Sequence, residues 1–295
     1  MSELYCGLAY EGRAEAPEAY LDGKLLYVEP GTTIGPRGHK FEIIAKLGHG
    51  GSSVVWMARK KNTRLGGWRA IKIIAAGRSS VDEEIAAVQR IESCGVDVVG
   101  CKSKSDAWTE ERDSKKYLCL KMGLSGPSVK ECLECDLAPE LRLSLAIQAT
   151  DIMSKLHKGN MFLYDFSSSN LLAKLKPEVD DELMWCIIEE TMRSEKVVIK
   201  VDQKGTSLSK DPKFPKILYA PISLGDIVDE MLPLQLIDVN QDPSNPGCSP
   251  PYAPPEFLEK IHRGDRSIIP DAKSNIFTLG VLVSDINSAM HTTHD

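Results

Sequence analysis

Between Phe41 and Ile74 three short runs rich in apolar and β-branched residues (FEIIAKLG, VVWMAR and WRAIKII) succeed one another, separated only by loops. Runs of that length and composition read as strands of an antiparallel meander. Helical patterning starts only afterwards. Ser80-Val81-Asp82-Glu83 has the form of a capping box, Ile85, Val88 and Ile91 come next at helical spacing, and Gly95 stops the run. Tyr117–Met122 (YLCLKM) reads as another strand, ending in the region Gly123–Gly126. Pro139 then opens a long helix in which Leu141, Leu145, Ala149, Ile152 and Leu156 recur three or four residues apart until Gly159. A strand LQLIDV, a Pro-rich stretch SPPYAPPEF and a last helix from about Ala272 to Met290 complete the pattern. A β-rich first part joined to a mainly helical second part defines an α+β chain with a two-lobed layout. Residues 1–39 read as a leader that packs on the domain without being one. Residues 40–122 read as the β-rich lobe, and 123–295 as the helical lobe with an insertion at about 173–233.

Composition removes several function classes. With 42% hydrophobic and 26% charged residues the chain is neither low-complexity nor mainly disordered. Its 36 Lys and Arg against 42 Asp and Glu leave a net charge of −6, without the basic footprint of a nucleic-acid binder. No apolar run approaches the roughly 20 residues of a membrane span, and the first residues lack a basic segment leading into an apolar one. The expectation is an intracellular protein, cytoplasmic or nuclear, whose eight cysteines are reduced thiols. Cys132 and Cys135 have a CxxC spacing, but no second pair completes a zinc tetrahedron. They read as two cysteines on a short helix.

Several residues could carry chemistry. Leu47-Gly48-His49-Gly50-Gly51-Ser52-Ser53 lies between two strands, where glycines let backbone N–H groups approach an anion. By itself such a loop is as often a tight turn. A dinucleotide-binding reading fails, because that loop must open a helix and here it leads into a strand. Lys72 ends Ala70-Ile71-Lys72 on the next strand, and Glu84 on the helix after it is an acid able to hold its ammonium toward phosphate oxygens. Asp165 and Asn170 share a loop after the long helix. The carboxylate could orient a hydroxyl nucleophile and the amide could hold Mg²⁺, although an Asx-turn explains the same letters. Asp238 ends the strand LQLIDV, a place suited to a hard oxygen ligand or to a turn.

Taken in this order, glycine loop, lysine, helix glutamate, Asp/Asn loop and strand-end aspartate, the chain resembles the eukaryotic protein kinase family. Within it, the chain looks most like the SR-protein-kinase branch in its fungal form. The resemblance runs from about Lys40 to Ile286 through LGHGGSSVVWMAR (Ser53 replacing the third glycine), RAIKII, YLCLKMGLSGPSVKECL, LHKGNMFLYDFSSSNLL, LQLIDV, YAPPEFL and SNIFTLGVL. It implies ATP and Mg²⁺ as cofactors and a protein Ser/Thr hydroxyl as acceptor, with Arg/Ser-rich substrates only weakly suggested and no nucleic-acid or membrane partner. Gly48, Gly50 and Ser53 would cover the phosphates, and Lys72, paired with Glu84, would contact the α- and β-phosphates. Val55 and Ala70 would pack on the adenine, Met122 would be the gatekeeper, and the backbone of Gly123 and Ser125 would meet the ring. Asp165 would orient the substrate hydroxyl, and Asn170 and Asp238 would hold the metal.

The departures are specific. The HRD triplet reads Leu163-Tyr164-Asp165, DFG reads Asp238-Val239-Asn240, APE reads Pro254-Pro255-Glu256, and the structural aspartate of the next helix is Asn275. Without the arginine, control by a phosphate on residues 238–256 is not expected. The insertion far exceeds the usual loop length and is expected to carry structure of its own, for instance a helix at Asp181–Glu190. Later helices of the family's lower lobe are not in the sequence. From this, Glu256 is expected to be a partly buried carboxylate lacking its partner. One side of the last helix, apolar at Ile276, Phe277, Leu279, Val281, Leu282, Val283 and Ile286, is expected to be exposed, giving an unstable or self-associating chain. Three functions are compatible with this pattern: an ATP-dependent Ser/Thr protein kinase, a pseudokinase that binds nucleotide or a partner without useful turnover, or a truncated product with little stable structure.

Overall fold

The computed structural model describes residues 14–63, 67–175, 196–198, 215, 217–222, 233–239, 249–265 and 267–288. The helix expected over Asp181–Glu190 lies outside them. The chain divides into two units, residues 1–81, 103–124 and 177–223 in one and 82–102, 125–176 and 224–295 in the other.

The first unit is built on a six-stranded antiparallel sheet. Its strands are β1 (Thr33–Ile34), β2 (Phe41–His49), β3 (Ser53–Lys60), β4 (Trp68–Ile74), β5 (Ala107–Arg112) and β6 (Lys115–Met122), in the order β1-β2-β3-β4-β6-β5. The meander expected from the sequence is β2-β3-β4. Strand β5 is an addition: its sequence AWTEER is half-buried or exposed throughout, so the apolar alternation that marks its neighbours is missing. One face of the sheet carries Phe41, Ile43, Val54, Trp56, Ala58, Ile71, Ile73 and Cys119, all buried. What buries them is residues 14–34, whose Ala14, Tyr20, Leu25, Leu26, Val28 and Ile34 join the same cluster, with a short helix α1 (Glu18–Leu21) at their start. Leu218 completes the cover. It belongs to β9 (Ile217–Tyr219), which pairs antiparallel with β8 (Lys196–Val198). The described part of the insertion is therefore extended.

The second unit is mainly helical. Helix α2 (Val81–Ser93) buries Val88 and Ile91 and ends at Gly95, whose φ of 78° is the left-handed geometry of a helix C-terminus. Helix α3 (Val129–Glu134) starts from a capping box of its own. Ser128 accepts from the Glu131 N–H, and the Glu131 carboxylate accepts from the Ser128 N–H at 2.8 Å. It carries Cys132, while Cys135 caps its end. Both are free thiols, and burial pushes Cys132 up to about 12, so it is inert. Helix α4 (Pro139–Lys158) has its expected span and packs Leu145, Ala149, Ile152 and Leu156 into the core with α6 (Ala272–Ser288). Buried Arg142 in α4 donates to the Leu137 and Ile286 carbonyls, the latter in the last turn of α6, where a cation is favoured.

Between α4 and α6 in sequence lie β7 (Leu171–Ala173), β10 (Leu234–Leu236) and α5 (Pro255–His262), with β7 and β10 paired antiparallel and Leu171 opposite Leu236. Two expectations about this end meet different outcomes. Ile276 and Phe277 on α6 are 60% and 41% exposed, while Leu282 and Ile286 are buried. Glu256, in contrast, is exposed in the first turn of α5. The carboxylate meets solvent, so the cost expected of a partly buried, partnerless acid does not arise.

Candidate functional site

In the first unit the sheet register does the positioning. Val55 lies opposite Gly48 on one side and Lys72 on the other, and Lys72 lies opposite Leu120. Two residues along, Ala70 sits between Met57 and Met122. Cross-strand partners share a face, and residues two apart share it again. Val55, Ala70, Lys72 and Met122 therefore project together from the face opposite the one that residues 14–34 cover. Gly123 comes directly after β6 and is exposed. Ser53 opens β3, buried, and its carbonyl accepts from the Gly50 N–H at 2.9 Å, which closes the turn.

The glycines of this turn are not demanded by the fold. Gly48, Gly50 and Gly51 have no left-handed φ, and a Cβ on any of them would meet nothing within 4 Å. Gly126 makes the contrast: there a Cβ would lie 3.0 Å from the Ala173 carbonyl oxygen, so a side chain would press on the neighbouring backbone. A run of small residues with open space around it suits a ligand that must come close to backbone N–H groups.

In the second unit three sequence-identified residues come together. Asn170 precedes β7 directly, and Asp238 stands two residues beyond β10. The pairing of these strands brings their ends side by side, and the Ile237 N–H donates to the Asn170 carbonyl at 3.0 Å. Asn170 Nδ2 donates to Asp165 Oδ2 at 2.9 Å and to the Asp165 carbonyl at 3.2 Å, and the Ser249 N–H donates to Oδ1 at 3.3 Å. Burial pushes the Asp165 carboxyl above its usual range and the nearby Asp238 charge adds to it, against the pull of those hydrogen bonds. Asp238 has φ of 55°. Among the described residues the other non-glycine positions of this kind, Asn62, Asp113, Ser114 and Asn160, fall in turns between elements. Unlike those four, Asp238 takes this conformation outside a turn, just beyond a strand, at a small local cost that the surrounding fold holds in place.

These oxygens fit a hard divalent cation. Asn170 commits its amide nitrogen to Asp165, leaving Oδ1 for a metal, and Asp238 adds a carboxylate whose repulsion with Asp165 a cation would relieve. Among the described residues no three His, Cys, Asp or Glu side chains converge as an all-protein cage. One carboxylate and one amide are what Mg²⁺ takes when phosphate oxygens and water supply the rest.

Glu84 and Ser125 belong to the second unit, Lys72 and Gly123 to the first. Glu84 is buried on α2. The buried Ser125 hydroxyl donates to Gln235 Oε1 at 3.0 Å, and Gln235 Nε2 donates to Asp97 at 2.8 Å, so that side chain serves β10 rather than a ligand.

The loop that bears Asp165 is held by Asn275, which stands at the place of the family's structural aspartate, by Tyr164 beside Asp165, and by Tyr252, which no motif singles out. Asn275 Oδ1 accepts from the Leu163 N–H at 2.8 Å, while its Nδ2 donates to the Leu163 carbonyl at 2.6 Å. An amide matches both halves of a backbone residue in this way, and a carboxylate cannot. The Tyr164 hydroxyl donates to the Ile268 carbonyl at 3.0 Å. The Tyr252 hydroxyl contacts Ser168 Oγ and Asp285 Oδ2, each at 2.8 Å. Partners 33 to 112 residues apart leave no local signature.

No family model matches the chain, and no curated protein matches its sequence. A comparison of folds does find likeness. The crystal structure of a kinase domain superposes with a TM-score of 0.51 at 16% identity, covering 92% of this chain and 71% of that one. The β-sheet unit, the helical unit and this likeness together define a protein-kinase-like α+β fold. Among the described residues no helix is long and apolar enough to cross a membrane.

Proposed function

We propose that the chain is an ATP- and Mg²⁺-dependent protein kinase that transfers the γ-phosphate to Ser or Thr hydroxyls of a protein. The observation that carries this is the gathering of Asp165, Asn170 and a left-handed Asp238 at one end of the β7–β10 pair. Asp165 orients the acceptor hydroxyl and takes its proton, a role suited to a carboxyl held above its usual range. Asn170 and Asp238 hold the metal, which when bound neutralises charge on the phosphate oxygens. Gly48, Gly50 and Ser53 supply the phosphate cover, Lys72 a cation for the α- and β-phosphates, and Val55, Ala70 and Met122 an apolar face for the adenine.

Mg-ATP should raise the melting temperature of the full chain, and Lys72→Ala and Asp238→Ala should each reduce that rise. Radiolabelled γ-phosphate should pass to a basic Ser-rich protein and not do so with Asp165→Asn. An equal rise in the two binding variants would refute nucleotide binding at these residues. The second reading, nucleotide binding without turnover, is favoured by Leu163-Tyr164 and Val239-Asn240 around the two aspartates. Its outcome is thermal stabilisation by Mg-ATP with no label transferred.

A further inference from the structure

We infer that residues 14–34 are a working part of the glycine-rich turn, and that the Glu15–Lys46–Tyr20 cluster positions Gly48–Ser53. The inference rests on the reading of that turn as the phosphate cover. Lys46 is a strand residue of β2 yet only 1% exposed, and its ammonium is bonded to the Glu15 carboxylate. Glu15 is itself buried and comes from 31 residues upstream. The ammonium takes Oε2 and the Tyr20 hydroxyl donates to Oε1, so both carboxylate oxygens are engaged. Burial would push the Glu15 carboxyl up. The Lys46 charge and these hydrogen bonds outweigh it and hold the group below its usual range.

The location matters more than the pair. Lys46 is opposite Trp56 in β3, and the next register partner is Gly48 opposite Val55, with a shift in between. The bulge that launches the glycine turn therefore begins at the anchored residue. The Lys46 carbonyl also accepts from the Ile222 N–H at 2.8 Å, tying the backbone at the same point. Residues 31–34 hold the other end of the strand. The Gly31 N–H donates to the Ile43 carbonyl at 2.7 Å, the Ile43 N–H to Thr32 at 2.9 Å, and Ile34 pairs with Phe41. His49, last in β2, lies close enough to feel both Lys46 and Glu15.

A buried ion pair is a poor way to gain stability, since apolar residues of similar size do as well or better. Its distinctive effect is on register. A one-residue slip of β2 would turn every side chain to the other face, and here it would carry the ammonium away from its only carboxylate in the cluster. The pair thus fixes where β2 stops and where the turn begins.

The test uses the full chain with Glu15→Gln and Lys46→Met combined, which leaves no unpaired buried charge. Hydrogen exchange is read at the Gly50 amide, bonded to Ser53, and at the Ala75 amide, bonded to Ser52, with the Gly126 amide of the second unit as reference. Exchange at Gly50 and Ala75 should quicken about tenfold while Gly126 is unchanged, and the Kd for Mg-ATP should rise about tenfold. Equal quickening at all three amides, or none at Gly50, overturns the inference. Loss of nucleotide binding by the unsubstituted chain would refute the proposed function, and the exchange result in the apo protein would still decide this one. If the double variant does not fold, Tyr20→Phe removes only the hydroxyl bond to Glu15 and must quicken Gly50 about threefold. No change there overturns the inference.

Discussion

The two units hold their candidate residues by different means. In the first, Val55, Ala70, Lys72 and Met122 are placed by strand register, each set by a ladder of backbone hydrogen bonds that no single side chain controls. In the second, Asp165 sits on a loop kept in shape by a few side chains. Asn275 grips Leu163, Tyr164 reaches Ile268, and Tyr252 meets Ser168. A ladder spreads the work over many bonds. A tethered loop concentrates it, so substitutions of similar size should act unequally in the two units.

The largest expected effect falls on the loop and separates chemistry from stability. Asp165→Asn should lower phosphate transfer by about 10³-fold if Asp165 is the base. The same change removes a buried charge disfavoured by burial and by Asp238, so the melting temperature should rise by roughly 2–4 °C. Transfer assays and thermal unfolding on one preparation check both signs. A melting temperature that falls would mean that the ionised carboxylate is part of what holds the loop.

In the first unit the exception to spread-out support is the Glu15–Lys46 pair. Lys46→Ala strands a buried carboxylate and should cost about 3–5 kcal/mol, measured by denaturant unfolding. The pair also sets an acid limit. Because Glu15 titrates below its usual 4.5 in the folded chain, its contribution is whole above pH 4.5 and is lost as pH falls through the lower folded value. In the Glu15→Gln/Lys46→Met variant the acid-unfolding slope over that window should flatten. An unchanged slope would assign the acid sensitivity to other carboxylates.

Asn275→Ala should cost about 2–4 kcal/mol, because both the N–H and the carbonyl of buried Leu163 lose their partner. Asn275→Asp should recover only part of this, since a carboxylate accepts from the N–H and meets the carbonyl oxygen unfavourably. A matching loss of transfer, beyond the loss of folded protein, would show that the grip positions Asp165. Unchanged transfer per folded molecule would reduce Asn275 to a packing residue and weaken the contrast between the units.

The same contrast explains what the sequence discloses. The strands β2, β3 and β4 and the long helix α4 are legible because apolar periodicity and glycine or proline punctuation are local. Strand β5 is not, being a polar edge, and neither is the two-residue β1. The order of Lys72, Asp165, Asn170 and Asp238 can be read off directly, and the resemblance marks Asn275, but its grip on Leu163 and the part played by Tyr252 arise only through the tertiary fold. Glu256 shows the opposite failure. A motif suggested a partly buried acid, and Glu256 is exposed while Pro254 and Phe257 beside it are buried.

The smallest expected effect tests whether the loop needs outside support. Tyr164 stands where the resemblance implies an arginine able to meet a phosphate, and its hydroxyl instead bonds the Ile268 carbonyl inside the same unit. That tether needs no phosphate, and a phenol cannot give the bidentate grip that a guanidinium gives a phosphate. Phosphatase treatment of the purified chain should therefore leave its activity unchanged. Tyr164→Phe keeps the ring and removes one hydrogen bond, and should cost about 1 kcal/mol, read as a small fall in melting temperature with a modest fall in transfer. Activity abolished by phosphatase would mean that a phosphate elsewhere organises the loop, and the tethers seen in this unit would then be insufficient to keep Asp165 in place.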